Sequence, residues 1–225
     1  MRHKAHYTSN TSFYKATNKV ITNNRTNQQP KNLKKLKIGL LFGSFNPIHT
    51  GHLIIASYLA NHTALDKVWL VVSPHNPLKE KKDLIQVYDR LEMAKLATED
   101  AENIMVSDIE LKLPQPSYTI DTLTHLRELY PEHEFTLIMG SDNLKSLKKW
   151  KNYELILRDY KIYVYPRPGY ENSELASHPY VTITETPLME LSSTFIRKSI
   201  SAEKSVKYFL PDEVIAFIES KGLYK

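Results

Sequence analysis

The sequence contains no cysteine and no long apolar run. The absence of cysteine excludes a disulfide scaffold, a thiolate zinc site and a cysteine nucleophile, and it fits a reducing compartment. A membrane-spanning helix needs about 18 or more consecutive apolar residues, whereas the most apolar stretch, residues 38–42, has only the length of a strand. We therefore expect a cytoplasmic protein with no membrane partner.

Acidic residues are missing from the first part of the chain. Residues 1–37 hold nine Lys and Arg and no Asp or Glu, whereas residues 38–225 hold 21 basic and 25 acidic side chains, a net charge of −4. Outside the N-terminal part the charge therefore does not indicate a nucleic-acid partner. Residues 1–36 are rich in Asn, Thr and Lys, which predicts a disordered basic tail followed by one domain over residues 37–225. A solvated extension is favoured over a targeting peptide or a nucleic-acid-binding arm.

Apolar runs of strand length alternate with segments of helical periodicity. Strands are predicted at residues 37–42, 67–73, 104–106, 134–140, 160–165 and 180–184. Helices are predicted from residue 51 and at residues 84–98, 117–130, 193–200 and 211–221. The alternation predicts an α/β fold with a Rossmann-like, mostly parallel sheet covered by helices on both faces. Ligands of such sheets bind at the carboxyl ends of the strands, so motifs that follow strands are expected at one edge.

The first predicted strand ends in a segment with two glycines and two histidines, Gly43-Ser44-Phe45-Asn46-Pro47-Ile48-His49-Thr50-Gly51-His52. Gly43 lets the backbone approach a ligand, and N–H groups at a helix start bind anions. His49 and His52 stand three residues apart, where imidazoles can hydrogen-bond phosphate oxygens. The residues alone leave three interpretations open: a phosphate site, a structural turn, or half of a zinc site whose other ligands come from elsewhere.

A second candidate segment lies near the end of the chain and reads Leu191-Ser192-Ser193-Thr194-Phe195-Ile196-Arg197. Ser192 or Ser193 can cap a helix whose N–H groups and dipole face an anion. Arg197, one turn into that helix, presents donors that match phosphate oxygens. The same pattern also occurs in ordinary capped surface helices.

The two segments together resemble the His-x-Gly-His and Ile-Ser-Ser-Thr-x-Ile-Arg motifs of the nucleotidyltransferase superfamily. Three further segments resemble nicotinate-nucleotide adenylyltransferases, namely residues 117–123 (Ser-Tyr-Thr-Ile-Asp-Thr-Leu), residues 137–144 followed by Trp150, and residues 165–170 (Tyr-Pro-Arg-Pro-Gly-Tyr). By this resemblance, which covers residues 37–220, the chain is identified as a member of the bacterial-type family. It departs from the family in the loop after the second strand, where Lys79 aligns with the family lysine but Leu78 replaces a histidine and His75 stands nearby.

The resemblance implies an enzyme of NAD biosynthesis that transfers the adenylyl group of ATP to nicotinate mononucleotide, with Mg²⁺ accompanying ATP, and that releases deamido-NAD and pyrophosphate. It implies catalytic roles for His49, His52 and Arg197. It implies ATP or phosphate binding by Gly43, Ser44, Phe45, Lys79, Gly140, Asp142, Arg167, Ser193 and Thr194. It implies mononucleotide binding by Asn46, Thr119, Asp121 and Trp150.

Other interpretations of these residues remain open. A sister transferase would use pantetheine phosphate or another phosphorylated acceptor, and a non-catalytic module would bind nucleotide without reaction. Without the resemblance, Trp150 is a packing or surface residue, Thr119 is a helix cap and Arg167 is a turn residue. Lys151 occupies a position where relatives often carry an aromatic residue. The sequence indicates neither the oligomeric state nor a protein-built metal site.

Overall fold

The computed structural model describes residues 35–74, 84–170 and 173–225. The strands in these ranges are β1 Lys37–Gly43, β2 Lys67–Val72, β3 Ile104–Ser107, β4 Glu134–Gly140, β5 Lys161–Tyr165 and β6 Val181–Ile183. The α-helices are α1 Thr50–His62, α2 Val87–Leu96, α3 Thr119–Leu129, α4 Ser141–Ser146, α5 Tyr153–Asp159, α6 Ser193–Ser201 and α7 Asp212–Lys221. Short 3₁₀ helices span Ile109–Lys112, Leu147–Lys149 and Glu174–Ser177.

The strands of the described residues form one sheet in the order β3-β2-β1-β4-β5-β6, and every pairing between neighbours is parallel. β1 lies in the middle, with Leu41 opposite Leu70 of β2 and Ile138 of β4. The chain leaves β1 towards β2 on one side and later returns to add β4 on the other side. The strand order therefore reverses between β1 and β4, and this reversal opens a crevice at their carboxyl ends.

Two buried apolar clusters cover the two faces of the sheet. Alternate strand residues point to opposite faces, so Leu70 belongs to one cluster and its neighbour Trp69 to the other. The first cluster contains buried residues of α1, α2, α6 and α7. The second contains buried residues of α3, α4 and α5. The predicted α/β fold with helices on both faces is confirmed, and the sheet is parallel throughout the described residues.

The structure also differs from the sequence prediction in a few elements. Helices α4 and α5, of six and seven residues, had no counterpart in the prediction because neither is long enough to display a helical period. The helix predicted at residues 84–98 is shorter, since Gln86 is the N-cap with a non-helical ψ of 136° and α2 spans Val87–Leu96. Strand ends differ by at most one residue. Most of the predicted tail, together with His75 and Lys79, lies outside the described residues.

No helix among the described residues is both long and apolar enough to cross a membrane.

Candidate active site

The turn after β1 has a backbone that only certain residues can adopt. A Cβ atom on Gly43 would lie 2.8 Å from the ring of Phe45, so the glycine leaves room for that ring. Phe45 has a φ of 44°, in the left-handed region that is unfavourable for a side chain with a Cβ atom. Burial of its ring, which is 2% exposed, holds the residue in this conformation. A ligand at this turn therefore faces the backbone of Phe45 and not its side chain.

His49 and His52 stand at the start of α1. His49 is the N-cap residue, and its backbone N–H donates to Nδ1 of His52 over 3.3 Å. Because Nδ1 accepts this bond, the proton of a neutral His52 ring is on Nε2. The two imidazoles stack with 3.7 Å between ring centroids, and the edge of the Phe45 ring contacts His52 with 5.1 Å between centroids.

The environment of His49 keeps its imidazole neutral. The residue is 3% exposed. Burial, followed by the nearby positive charge of Arg167, lowers the pKa of His49 to about 4. At neutral pH this side chain is therefore a hydrogen-bonding group without charge.

Helix α6 is hydrogen-bonded directly to the β1 turn. Its N-cap is Ser192, whose hydroxyl accepts from the backbone N–H of Phe195 over 3.2 Å. The hydroxyl of Ser193 donates to the carbonyl of Pro47 over 2.9 Å.

The guanidinium of Arg197 makes the second link between α6 and the turn. It donates through Nη1 to the carbonyl of Asn46 over 3.0 Å, and its Nη2 lies 3.5 Å from Oγ1 of Thr194. These bonds bring together two segments that lie far apart in the sequence.

A third group of predicted residues follows β4 and β5. Arg167 Nε lies 3.5 Å from Oδ1 of Asp142, and the guanidinium stands 5.6 Å from the ring centroid of Tyr165. The hydroxyl of Ser141 accepts from the backbone N–H of Arg167 over 2.9 Å. A Cβ atom on Gly140 would lie 2.4 Å from Oδ1 of Asp142, so a larger residue would displace this carboxylate.

One pocket joins the β1 turn to the end of β5. His49 and His52 line it from α1, and Arg167 lines it from the segment after β5. The segment before α6 supplies an apolar wall that includes Met189 and Leu191. The pocket lies at the carboxyl edge of the sheet, where the topology places the crevice.

The remaining predicted residues meet at the start of α3. Thr119 is the first residue of α3, and Tyr118 is the N-cap, so the interpretation of Thr119 as the cap is wrong. Asp121 accepts from the ammonium of Lys151 over 2.8 Å, and that ammonium lies 4.7 Å from the ring centroid of Tyr118. The ion pair thus links Lys151, the residue after Trp150, to the first turn of α3. Trp150 is half-buried, and its buried indole N–H has no hydrogen-bond partner in the part of the chain that the structure describes.

Three residues near these segments were not predicted from the sequence. Tyr224, one residue before the C-terminus, donates its hydroxyl to Oδ1 of Asn46 over 2.8 Å. Glu110 is 3% exposed, accepts from the hydroxyl of Thr122 over 2.9 Å, and has a pKa raised by burial. Arg90 is 1% exposed and donates to the carbonyl of Ser44.

Only Arg90 gave a signal in the sequence. It falls on the apolar face of a predicted amphipathic helix, where a charged residue needs buried partners.

Metal ligation by the protein alone has little support in the described ranges. Within them, no group of three or more His, Cys, Asp and Glu side chains is arranged to hold a metal ion. The carboxylate of Asp142 lies 3.5 Å from Nε of Arg167, a residue that lines the pocket.

Comparison with known proteins places the chain in a family. A family model described as cytidylyltransferase-like matches residues 40–199. The chain is 56% identical over 192 residues to a Flavobacterium johnsoniae protein named probable nicotinate-nucleotide adenylyltransferase, a match that covers 84% of this chain and all (100%) of that protein. A Bacteroides thetaiotaomicron protein of the same name is 45% identical over 184 residues, or 82% of this chain and 91% of that protein.

A solved structure shares the fold. The Plasmodium falciparum nicotinic acid mononucleotide adenylyltransferase complexed with NaAD superposes with a TM-score of 0.71 at 20% identity, covering 84% of this chain and 97% of that chain. The match of the family model and the close relatives decide the assignment. The chain belongs to the cytidylyltransferase-like family and, within it, to the nicotinate-nucleotide adenylyltransferase family.

Proposed function

We propose that this protein transfers the adenylyl group of ATP to nicotinate mononucleotide, forming deamido-NAD and pyrophosphate in NAD biosynthesis. The observation that carries the proposal is the pair of bonds from Arg197 to Asn46 and from Ser193 to Pro47. They join the two nucleotide-binding motifs at the crevice between β1 and β4. The name of relatives up to 56% identical to this chain supplies the acceptor.

The proposed reaction is a direct in-line displacement at the α-phosphorus of ATP. The 5′-phosphate of the mononucleotide is already an anion at neutral pH, so the site needs no general base and no covalent intermediate. Its work is to align two phosphates and to stabilise the charge that spreads over them. The backbone of Gly43, Ser44 and Phe45 would lie beneath the α-phosphate.

Two histidines and the start of α6 would bind the ATP phosphates. His49 is neutral, so it would act as a hydrogen-bonding group, and His52 would donate from Nε2. Ser193, Thr194 and Arg197 would hold the β- and γ-phosphates, and so the leaving group, at a helix N-terminus that favours anions.

The ends of β4 and β5 would bind the rest of ATP. Gly140, Asp142 and Arg167 are the proposed residues there, and Oδ1 of Asp142 lies 3.5 Å from Nε of Arg167. Lys79, a further proposed phosphate ligand, lies outside the described residues.

Four residues would form the mononucleotide site. Trp150 would stack on the pyridine ring, and backbone N–H groups near Thr119 would face the nicotinate carboxylate. Asn46 would contact the mononucleotide from the β1 turn. Asp121 is engaged by Lys151, so we propose that it positions the α3 N-terminus around the ring.

We propose that Mg²⁺ enters with ATP and is bound mainly by triphosphate oxygens and water, as is common for this ion. When bound, it would neutralise charge on the phosphates. We also propose that residues 1–36 form a tail separate from the catalytic domain of residues 37–225. We propose further that the protein works in the cytoplasm, because a chain without cysteine needs no oxidising compartment for disulfide formation.

A pyrophosphate-release assay tests the function. The purified protein, ATP and Mg²⁺ are combined with nicotinate mononucleotide, with phosphopantetheine or with no acceptor, and the dinucleotide is identified by mass. We expect release only with the pyridine mononucleotide. Release only with phosphopantetheine would favour a sister transferase. ATP binding without release would favour a non-catalytic module, which the presence of His52 and Arg197 argues against.

A further inference from the structure

Arg90 is a buried cation on helix α2, and among the described residues its guanidinium donates to backbone carbonyls. Nη1 donates to Ser44 over 2.6 Å and to Ser73 over 2.7 Å. Nη2 donates to Pro74 over 2.8 Å, and Nε donates to Ile85 over 3.2 Å. One side chain thus satisfies four acceptors from three separate segments.

The arrangement requires a guanidinium. The carbonyls of Ser44, Ser73 and Pro74 all accept from the one guanidinium. Buried carbonyl oxygens that face one another without a donor would raise the free energy of the folded state. A planar fork reaches all of them, whereas an ammonium offers a single nitrogen. Burial lowers the pKa of Arg90 to about 10, so the side chain is still charged at neutral pH and its hydrogen bonds are charge-assisted.

These bonds fix the turn that carries the first motif. Ser44 directly follows Gly43, and the carbonyl of Gly43 accepts from the backbone N–H of Ser73 over 2.9 Å. The ends of β1 and β2 are therefore tied to each other and to the start of α2 through one residue.

We propose that Arg90 is a positioning residue for adenylyl transfer, which holds the Gly43-Ser44-Phe45 backbone at the place where the α-phosphate reacts. The proposal rests on the proposed function. Because its guanidinium donates to backbone carbonyls, Arg90 would act through the backbone and not through contact with a substrate. Its loss should therefore reduce the rate of the chemical step more than the binding of ATP.

Stability is the competing explanation, and α2 offers a matched control. Met93 lies one turn after Arg90, is fully buried at 0% exposure and packs in the core. Met93→Ala removes packing from the same helix and leaves the carbonyl contacts of Arg90 in place. Comparison of Arg90→Lys with Met93→Ala separates general loss of stability from loss of position.

The first measurement is steady-state kinetics well below the melting temperature of each variant. We expect Arg90→Lys to lower kcat by at least about tenfold and on the order of 100-fold at most, because small displacements of reacting groups have effects of this size. KM for ATP should change by less than about threefold, as expected for an interaction that matters in the transition state. Met93→Ala should lower Tm at least as much and keep kcat within about threefold of the wild type.

Chemical rescue adds a second readout. Guanidinium, added to Arg90→Ala below the concentration that unfolds it, should restore part of kcat and should leave Met93→Ala unchanged. Equal kcat values for Arg90→Lys and Met93→Ala would overturn the proposal, as would an Arg90→Ala variant that guanidinium does not activate.

Hydrogen exchange tests the position of the turn without any substrate. The backbone amides of residues 43–46 and 48 should exchange faster in Arg90→Lys than in the wild type, and Met93→Ala should not show this local change. A wild-type protein that transfers no adenylyl group would refute the proposed function, while the exchange data would still test whether Arg90 holds the turn. Unchanged exchange at these amides would refute the role of Arg90 even in an active enzyme.

Discussion

The geometry of His52 allows a test that separates its structural role from its proposed chemical role. Nδ1 accepts from the backbone of His49 over 3.3 Å, which leaves the proton on Nε2. His52→Asn keeps a carboxamide oxygen near the position of Nδ1 but has no donor at the position of Nε2. His52→Gln extends one bond further and places its NH₂ group there.

The expected magnitudes follow from what each variant loses. Both variants remove the stacking on His49 and the edge contact with Phe45, which are worth about 0.5–1.5 kcal/mol for each ring pair. Their Tm values should therefore fall by similar amounts. The loss of one transition-state donor costs about 3–4 kcal/mol, so His52→Asn should lower kcat on the order of 100- to 1,000-fold. His52→Gln keeps a donor and should lose at least about tenfold less activity than His52→Asn.

The assay is pyrophosphate release at saturating ATP and nicotinate mononucleotide, at a temperature where both variants are folded. Arg158→Lys serves as a surface control, since Arg158 pairs with its neighbour Asp159 on an exposed part of α5. If the two His52 variants have the same kcat, or if His52→Asn stays within about threefold of the wild type, the Nε2 donor has no role in catalysis.

Three further predictions concern pH, substrate choice and the N-terminal segment. His49 has a folded pKa of about 4 against an ordinary value of 6.5, so its contribution to stability is present above pH 6.5 and is lost as the pH falls towards 4. Urea unfolding should show about 2 kcal/mol of this loss between about pH 7.5 and about pH 5, and His49→Asn should show correspondingly less. The amide form of the mononucleotide would leave N–H donors of the site without an acceptor, at a cost of about 1–3 kcal/mol each, so kcat/KM should be at least about tenfold higher for the acid form. Trp150→Ala should lower kcat/KM for both forms by a similar factor. Equal efficiencies would reject the specificity. A chain that begins at Lys35 should keep the kcat/KM and Tm of the full chain, because residues 1–34 lack the apolar pattern of a packed segment; a large fall in either would show that they belong to the fold.

Much of the fold could be predicted because its strands are short, apolar and buried on both faces. Residues 67–72, Lys-Val-Trp-Leu-Val-Val, have the continuous apolar pattern of a buried strand and not the mixed pattern of a surface helix. The helices between such strands lead to parallel pairing. The helices after β4 are different. α4 begins directly at Ser141, and six residues complete fewer than two turns, so no periodic pattern develops.

In the candidate site, local features could be predicted from the sequence, whereas contacts between distant residues could not. The spacing of His49 and His52 already placed both rings at one helix start, where the structure stacks them. The bond from Tyr224 to Asn46 joins residues 178 positions apart, and nothing in the sequence near either residue indicates it. Contacts of this kind depend on the path of the whole chain. Arg90 lies between these two cases. Its place on the apolar face of a helix indicates that the side chain is buried, but the sequence does not indicate which carbonyl oxygens it binds.

The contacts around the β1 turn fit the phosphate-binding role proposed for it. A turn that binds phosphate has to keep its carbonyl oxygens away from the anion and present its N–H groups instead. Here the carbonyls of Gly43, Ser44, Asn46 and Pro47 accept hydrogen bonds from the backbone of Ser73 and from the side chains of Arg90, Arg197 and Ser193, respectively. Each donor belongs to a different part of the chain or to a different turn of a helix, and each withdraws one oxygen from the crevice. The basic residues near this turn therefore contribute in two ways, because their charge favours an anion and their hydrogen bonds remove the acceptors that would repel it.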